Sequence, residues 1–106
     1  ASAVETVCPG ARPICFGHMG DGNLHYNISR PVDGNDEAFL RLYQPMNHAV
    51  YAVVRSLDGS ISAEHGIGQL KRDELIATAP PMAIDLMRRV KAAFDPAGIM
   101  NPGKVI

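Results

Sequence analysis

The chain has 106 residues, 46% of them hydrophobic, and a formal net charge of -1. That is enough for one domain with a modest core. It offers no basic stripe for nucleic acid and no cationic face for an anionic membrane, and no apolar run nears the roughly 20 residues that span a bilayer. Cys8 and Cys15 are the only cysteines and do not form a C-x-x-C pair. Two such thiols fit a reducing compartment, here read as cytoplasmic.

Residues 1–7 follow a weak helical pattern without an initiator Met, so the chain reads as the interior of a longer protein. Pro9-Gly10-Ala11-Arg12-Pro13 is a breaker cluster and hence a loop. Two alternating runs follow, residues 14–19 and 24–30, on either side of Gly20-Asp21-Gly22-Asn23. Asp-Gly is the usual centre of a tight hairpin loop, since both positions accept positive φ. Centring the loop there puts His18 directly opposite His25 and Phe16 opposite Asn27. Cys15, Met19, Leu24, Tyr26 and Ile28 then share an apolar face that should pack on helices. Phe16, His18, His25, Asn27 and Ser29 share the other face.

A turn follows, ending in a helix cap at Asn35 or Asp36. Phe39, Tyr43, Met46, Val50, Val53, Val54 and Leu57 recur at helical spacing. Pro45 interrupts them, which predicts a break near Gln44 and a longer helix over residues 45–57. Residues 60–63 read as a short strand leading into Glu64-His65-Gly66-Ile67-Gly68. Two glycines within three residues suggest backbone held close to a ligand or another segment. Residues 72–79 form a short helix, and Pro80-Pro81 separates it from a helix over 82–94 with an apolar stripe of Ala83, Leu86, Met87, Val90 and Phe94. Asp95-Pro96 stops that helix, and Asn101-Pro102-Gly103-Lys104 is a further turn. The fold class is therefore α+β: an antiparallel hairpin or small sheet with helices on one face, in an order that matches part of a ferredoxin-like unit. So small a sheet has an open edge, which favours self-association.

The opposed histidines are the strongest chemical signal. Directly paired side chains lie about 4.5–5.5 Å apart at Cβ, close enough to share one metal ion. Catalytic zinc commonly has three protein ligands, often two histidines and a glutamate, and Glu64 is the candidate third. His65 is a fourth ligand, a base or a plain loop residue; adjacent side chains on extended backbone diverge, which casts Glu64 as ligand and His65 as base. Lys71 is either an anion anchor or a solvated lysine. Asp21 reads as a turn residue and His48 as structural. There is no strand–Gly-x-Gly-x-x-Gly–helix unit, no nucleophile elbow and no H-E-x-x-H helix. The residues alone end at a His₂Glu metal site in an α+β domain, with a metal- or ligand-binding module lacking redox activity and a purely structural domain as the competing readings.

Three segments occur in a fixed order: Gly17-His18-Met19-Gly20-Asp21-Gly22-Asn23-Leu24-His25, then Ser62-Ala63-Glu64-His65-Gly66-Ile67-Gly68 with Lys71, then Asp95-Pro96-Ala97-Gly98-Ile99-Met100-Asn101-Pro102-Gly103-Lys104. Together they resemble the C-terminal, cap-domain end of FAD-linked 2-hydroxy acid dehydrogenases. That group includes D-lactate dehydrogenase, the glycolate oxidase flavin subunit and D-2-hydroxyglutarate dehydrogenase, and belongs to the vanillyl-alcohol-oxidase-like flavoproteins. The resemblance implies that His18, His25 and Glu64 are metal ligands and His65 the acceptor of the substrate hydroxyl proton. It places Asn27 and Lys71 near the substrate, and Asn101 and Lys104 near the flavin. It implies FAD held mainly by a domain absent from this chain, and a divalent metal, with zinc preferred over manganese, iron or cobalt for its nitrogen-rich ligands. The full-length enzyme would oxidise a small D-2-hydroxy acid, with peripheral membrane association open to it, and the present stretch would be inactive alone.

Overall fold

In the computed structural model, which describes residues 1–106, a four-residue loop at 19–22 joins β1 (Arg12–His18) to β2 (Asn23–Ser29). The Asp21 carboxylate accepts from the Asn23 amide at 3.2 Å, so the loop closes through a side chain. The loop sits one residue earlier than the Asp-Gly signal suggests, and the register moves with it. His18 pairs with Asn23, Phe16 with His25 and Ile14 with Asn27. The direct His18–His25 opposition expected from sequence is therefore corrected to a diagonal one. A two-residue slip preserves side-chain parity, so both histidines stay on one face while Tyr26 and Ile28 keep the other.

Two compact units make up the chain, Ala1–Ala63 and Glu64–Ile106. The first holds the hairpin with α1 (Ser2–Val7), α2 (Asp36–Arg41) and α3 (Tyr43–Ser56). Val4, Cys8, Ala11 and Met46 are buried at its centre, and Tyr26, Ile28, Phe39, Leu42 and Val50 pack around them. Of the apolar face expected from the alternation, only Tyr26 and Ile28 pack on this core. Cys15, Met19 and Leu24 are exposed, a correction to the expectation, because alternation assigns a face without supplying enough helix to cover it. The Asn35 side chain caps α2 by accepting from the amides of Glu37 and Ala38. The helix break falls at Leu42 rather than Gln44. Pro45 is the third residue of α3, where an amide has no intrahelical partner to lose, and the first bond runs from Met46 N–H to the Leu42 carbonyl. Asp58, at φ 55, ends α3: its N–H donates to Arg55 and that of Gly59 to Val54, a Schellman closure.

Residues 60–63 do not form the expected third strand; the sheet has two strands. Ser60 Oγ donates to the Ser62 carbonyl and accepts from the Ser62 amide, both at 3.1 Å. Those local bonds occupy groups a strand would have offered to a neighbour.

The second unit carries α4 (Arg72–Thr78) and α5 (Pro81–Phe94), with Pro81 in the first turn of α5. Its buried residue is Ile84, not the expected stripe: Leu86, Val90 and Phe94 are exposed. Periodicity marks a face suited to burial but does not supply what covers it. The Asp95 carboxylate accepts from the amides of Ile99 and Met100 at 3.0 and 2.8 Å, folding the chain back after α5. The turn at 101–104 forms as predicted, with Lys104 N–H donating to the Asn101 carbonyl. No helix is long and apolar enough to cross a membrane.

Candidate functional site

The polar hairpin face is built by close approach of its two strands. A Cβ placed on Gly17 would lie 1.9 Å from the Asn23 carbonyl oxygen, so no residue but glycine fits beside that carbonyl without moving the backbone. Across this narrow point His18 and His25 stand as diagonal neighbours with ring centroids 6.3 Å apart and planes at 70°. Phe16, directly opposite His25, stacks on it at 4.9 Å and 10°. His25 is half-buried and His18 exposed. Asn27 lies on the same face, exposed, opposite Ile14. Phe16 is a residue sequence reasoning missed: only the true register reveals that its ring fixes the plane of His25.

Beneath this face, Tyr26 turns its hydroxyl into the first unit. The oxygen is inaccessible and has no hydrogen-bond partner. Burial pushes the phenol above its ordinary 10.0, and the neighbouring Cys15 adds to the shift. His48 lies exposed on α3, and both cysteines are free thiols.

In the second unit, Glu64 and His65 are exposed on an irregular loop that runs through Gly66 and Gly68, both at positive φ, to the start of α4. Lys71, half-buried, is the N-cap residue of α4. The tail returns to this loop. Val105 N–H donates to the Gly68 carbonyl at 2.7 Å, Lys104 Nζ to Gln69 Oε1 at 3.0 Å, and Arg72 Nη1 to the Gly103 carbonyl at 3.3 Å. Lys91 Nζ ties the tail to α5 through the carbonyls of Lys104 and Ile106. Asn101 and Lys104 border a shallow open cleft floored by Leu86, Val90, Met100 and Ile106. Two of the three sequence motifs, those around residues 64–71 and 101–104, are therefore joined by hydrogen bonds. Gln69 and Arg72 carry that junction and had no signal in the sequence.

The chain is 47% identical over 97 residues to the D-2-hydroxyglutarate dehydrogenase of Stutzerimonas stutzeri, covering 92% of this chain and 21% of that protein. It is 43% identical over 100 residues to the mitochondrial D-2-hydroxyglutarate dehydrogenase of Bos taurus, covering 92% of this chain and 17% of that protein. An uncharacterized FAD-linked oxidoreductase of Mycobacterium tuberculosis is 37% identical over 105 residues, 99% of this chain and 21% of its own length. The chain thus spans about a fifth of the length of these curated relatives. Residues 3–105 match the family described as FAD linked oxidases, C-terminal domain, and the chain belongs to that family.

Proposed function

We propose that this chain is the C-terminal, cap-domain part of an FAD-dependent dehydrogenase that oxidises a D-2-hydroxy acid to the 2-oxo acid. The observation that carries the reading is the family match across residues 3–105. D-2-hydroxyglutarate, the acid for which the Stutzerimonas and bovine relatives are named, is the first acid to assay. The free thiols of Cys8 and Cys15 support a reducing, cytoplasmic setting, while the bovine relative is named as mitochondrial.

In this reading His18, His25 and Glu64 are the ligands of a divalent metal. The donor chemistry fits: two imidazoles share one hairpin face, and imidazole with carboxylate suits zinc first. A metal held there would supply Lewis-acid polarisation of the substrate hydroxyl, and FAD, held mainly by the remainder of a longer protein, would supply the hydride acceptor. The residues of this chain do the rest. His65 accepts the hydroxyl proton, a task suited to an imidazole near neutrality. Asn27, with an amide that both donates and accepts, orients the substrate from the hairpin face. Lys71 supplies a cation for the substrate carboxylate. Asn101 and Lys104, polar groups at the rim of the cleft in the second unit, face the flavin.

The test is steady-state turnover of the full-length flavoprotein on D-2-hydroxyglutarate and D-lactate, before and after chelation and zinc restoration. His65→Ala should lower kcat by about 10²–10⁴-fold with flavin content unchanged. His18→Ala and Glu64→Ala should abolish the zinc response. Phe16→Ala should weaken zinc binding up to about tenfold, since an aromatic stack is worth roughly 0.5–1.5 kcal/mol. Full turnover in His65→Ala, or zinc affinity indifferent to residues 18 and 64, would overturn the proposal.

A further inference from the structure

The loop after His65 has little packing of its own. Gly66 and Gly68 have no atom within 4 Å of where a Cβ would sit, and Leu70 is 89% exposed. A segment with so few apolar contacts depends on hydrogen bonds for its shape. Three of those bonds reach one short piece of chain more than thirty residues further on: Val105 N–H to the Gly68 carbonyl, Lys104 Nζ to Gln69 Oε1, and Arg72 Nη1 to the Gly103 carbonyl. That piece is itself anchored, because Lys91 Nζ on α5 holds the carbonyls of Lys104 and Ile106 at 3.1 and 2.8 Å.

The backbone at the junction is unusual. Val105 sits at φ 62, a conformation that a β-branched residue adopts only when its surroundings over-determine it. Its N–H makes the shortest of the three bonds, 2.7 Å, to a glycine that is also in the left-handed region at φ 57. Two left-handed residues, one of them costly, meet in a single hydrogen bond.

We infer that residues 103–105 are a clasp, and that Val105, Lys104 and Gln69 are positioning residues that hold the loop following Glu64 and His65 against the end of α5. This deepens the proposed function and rests on its assignment of His65. The clasp constrains where the loop leaves His65, and so the direction from which the imidazole meets the substrate hydroxyl. Lys104 has three N–H donors, so it can hold Gln69 and still face a flavin. The closing turn would thus join the flavin side of the enzyme to its base. Misplacement of a reacting group by about 1 Å can cost about 10²-fold in rate, which is why a surface clasp of this kind matters to turnover.

The test separates the clasp from the chemistry. Val105→Pro removes the donor and forbids positive φ, whereas Val105→Gly keeps the donor and accepts that φ freely. Hydrogen exchange of the full-length protein should show the amides of Lys71 and Arg72, which donate to the carbonyls of Ile67 and Gln69, opening about tenfold faster or more in Val105→Pro, with α5 still protected, and no faster than wild type in Val105→Gly. In the flavin-loaded enzyme, Val105→Pro should lower kcat about tenfold or more with KM and flavin content little changed, and Val105→Gly should restore it. If Val105→Pro unfolds α5, the pair Lys104→Met and Gln69→Met replaces it, and the double variant should exchange no faster at the amides of Lys71 and Arg72 than the worse single one. Unchanged exchange at the amides of Lys71 and Arg72, or faster exchange with unchanged kcat, overturns the inference. His65→Ala is the separate check on the underlying reading: if it turns over normally, the assigned base is wrong, while the exchange data still judge the clasp.

Discussion

Gly17 shows how one missing side chain can shape a face. With the Asn23 carbonyl 1.9 Å from a hypothetical Cβ, Gly17→Ala should lower the stability of the first unit by at least about 2 kcal/mol, read by urea unfolding. The sequence shows this glycine as the opening residue of the first motif segment but not why it must be glycine; that requirement comes from a backbone approach that no local pattern encodes. Tyr26 is a second case. Its hydroxyl is buried without a partner and its pKa is raised by burial and by Cys15. The native state therefore keeps the phenolic proton to higher pH than the unfolded chain does. The associated stability is complete below pH 10.0, the unfolded value, and is lost as pH rises through the raised native value. Tyr26→Phe should remove that alkaline slope and, by deleting an unsatisfied polar atom, stabilise the protein near neutrality by about 1 kcal/mol. Thermal melts of both proteins across the alkaline range check this, and ultraviolet titration should find one of the three tyrosines ionising late.

At the scale of elements, local signals worked where the physics is local. Asn35 caps α2 as a short polar side chain before an apolar helix should, and Asn35→Ala should cost about 1 kcal/mol, measured as a lower denaturant midpoint at unchanged slope. Pro81 opens α5 and Asp95 ends it. The hairpin itself was legible, but its register was not. Asp21-Gly22 carries the strongest turn signal, yet the loop that forms spans 19–22 and uses the Asp21 carboxylate rather than an Asp-Gly centre. Because the period of a strand is two, the slip changed the partner of each histidine and left its face unaltered. The missing third strand failed for a related reason: Ser60 and Ser62 satisfy each other, and alternation in four residues cannot outweigh such short-range bonds.

For the whole molecule, buried apolar residues are few: Val4, Cys8, Ala11 and Met46 in the first unit and Ile84 in the second. Each unit then rests on a small number of contacts. Met46→Ala and Ile84→Ala should each cost about 2–5 kcal/mol. Hydrogen exchange should show each loss of protection in the unit that carries the substitution: residues 1–63 for the first and 64–106 for the second. A uniform loss across the chain from either change would contradict the division of the core.

What the sequence by itself determined is the α+β class, the helical segments to within a few residues, the face on which His18 and His25 lie, and the family to which the chain belongs. These follow from periodicity, capping chemistry and motif spelling, all of which act between near neighbours. Only the tertiary structure decided that Phe16 rather than His18 faces His25, that α5 buries Ile84 while its apolar stripe stays exposed, and that residues 103–105 close on Gly68 and Gln69. Those outcomes depend on which distant groups compete for the same hydrogen bond or the same buried volume, and that competition is resolved only when the chain has folded.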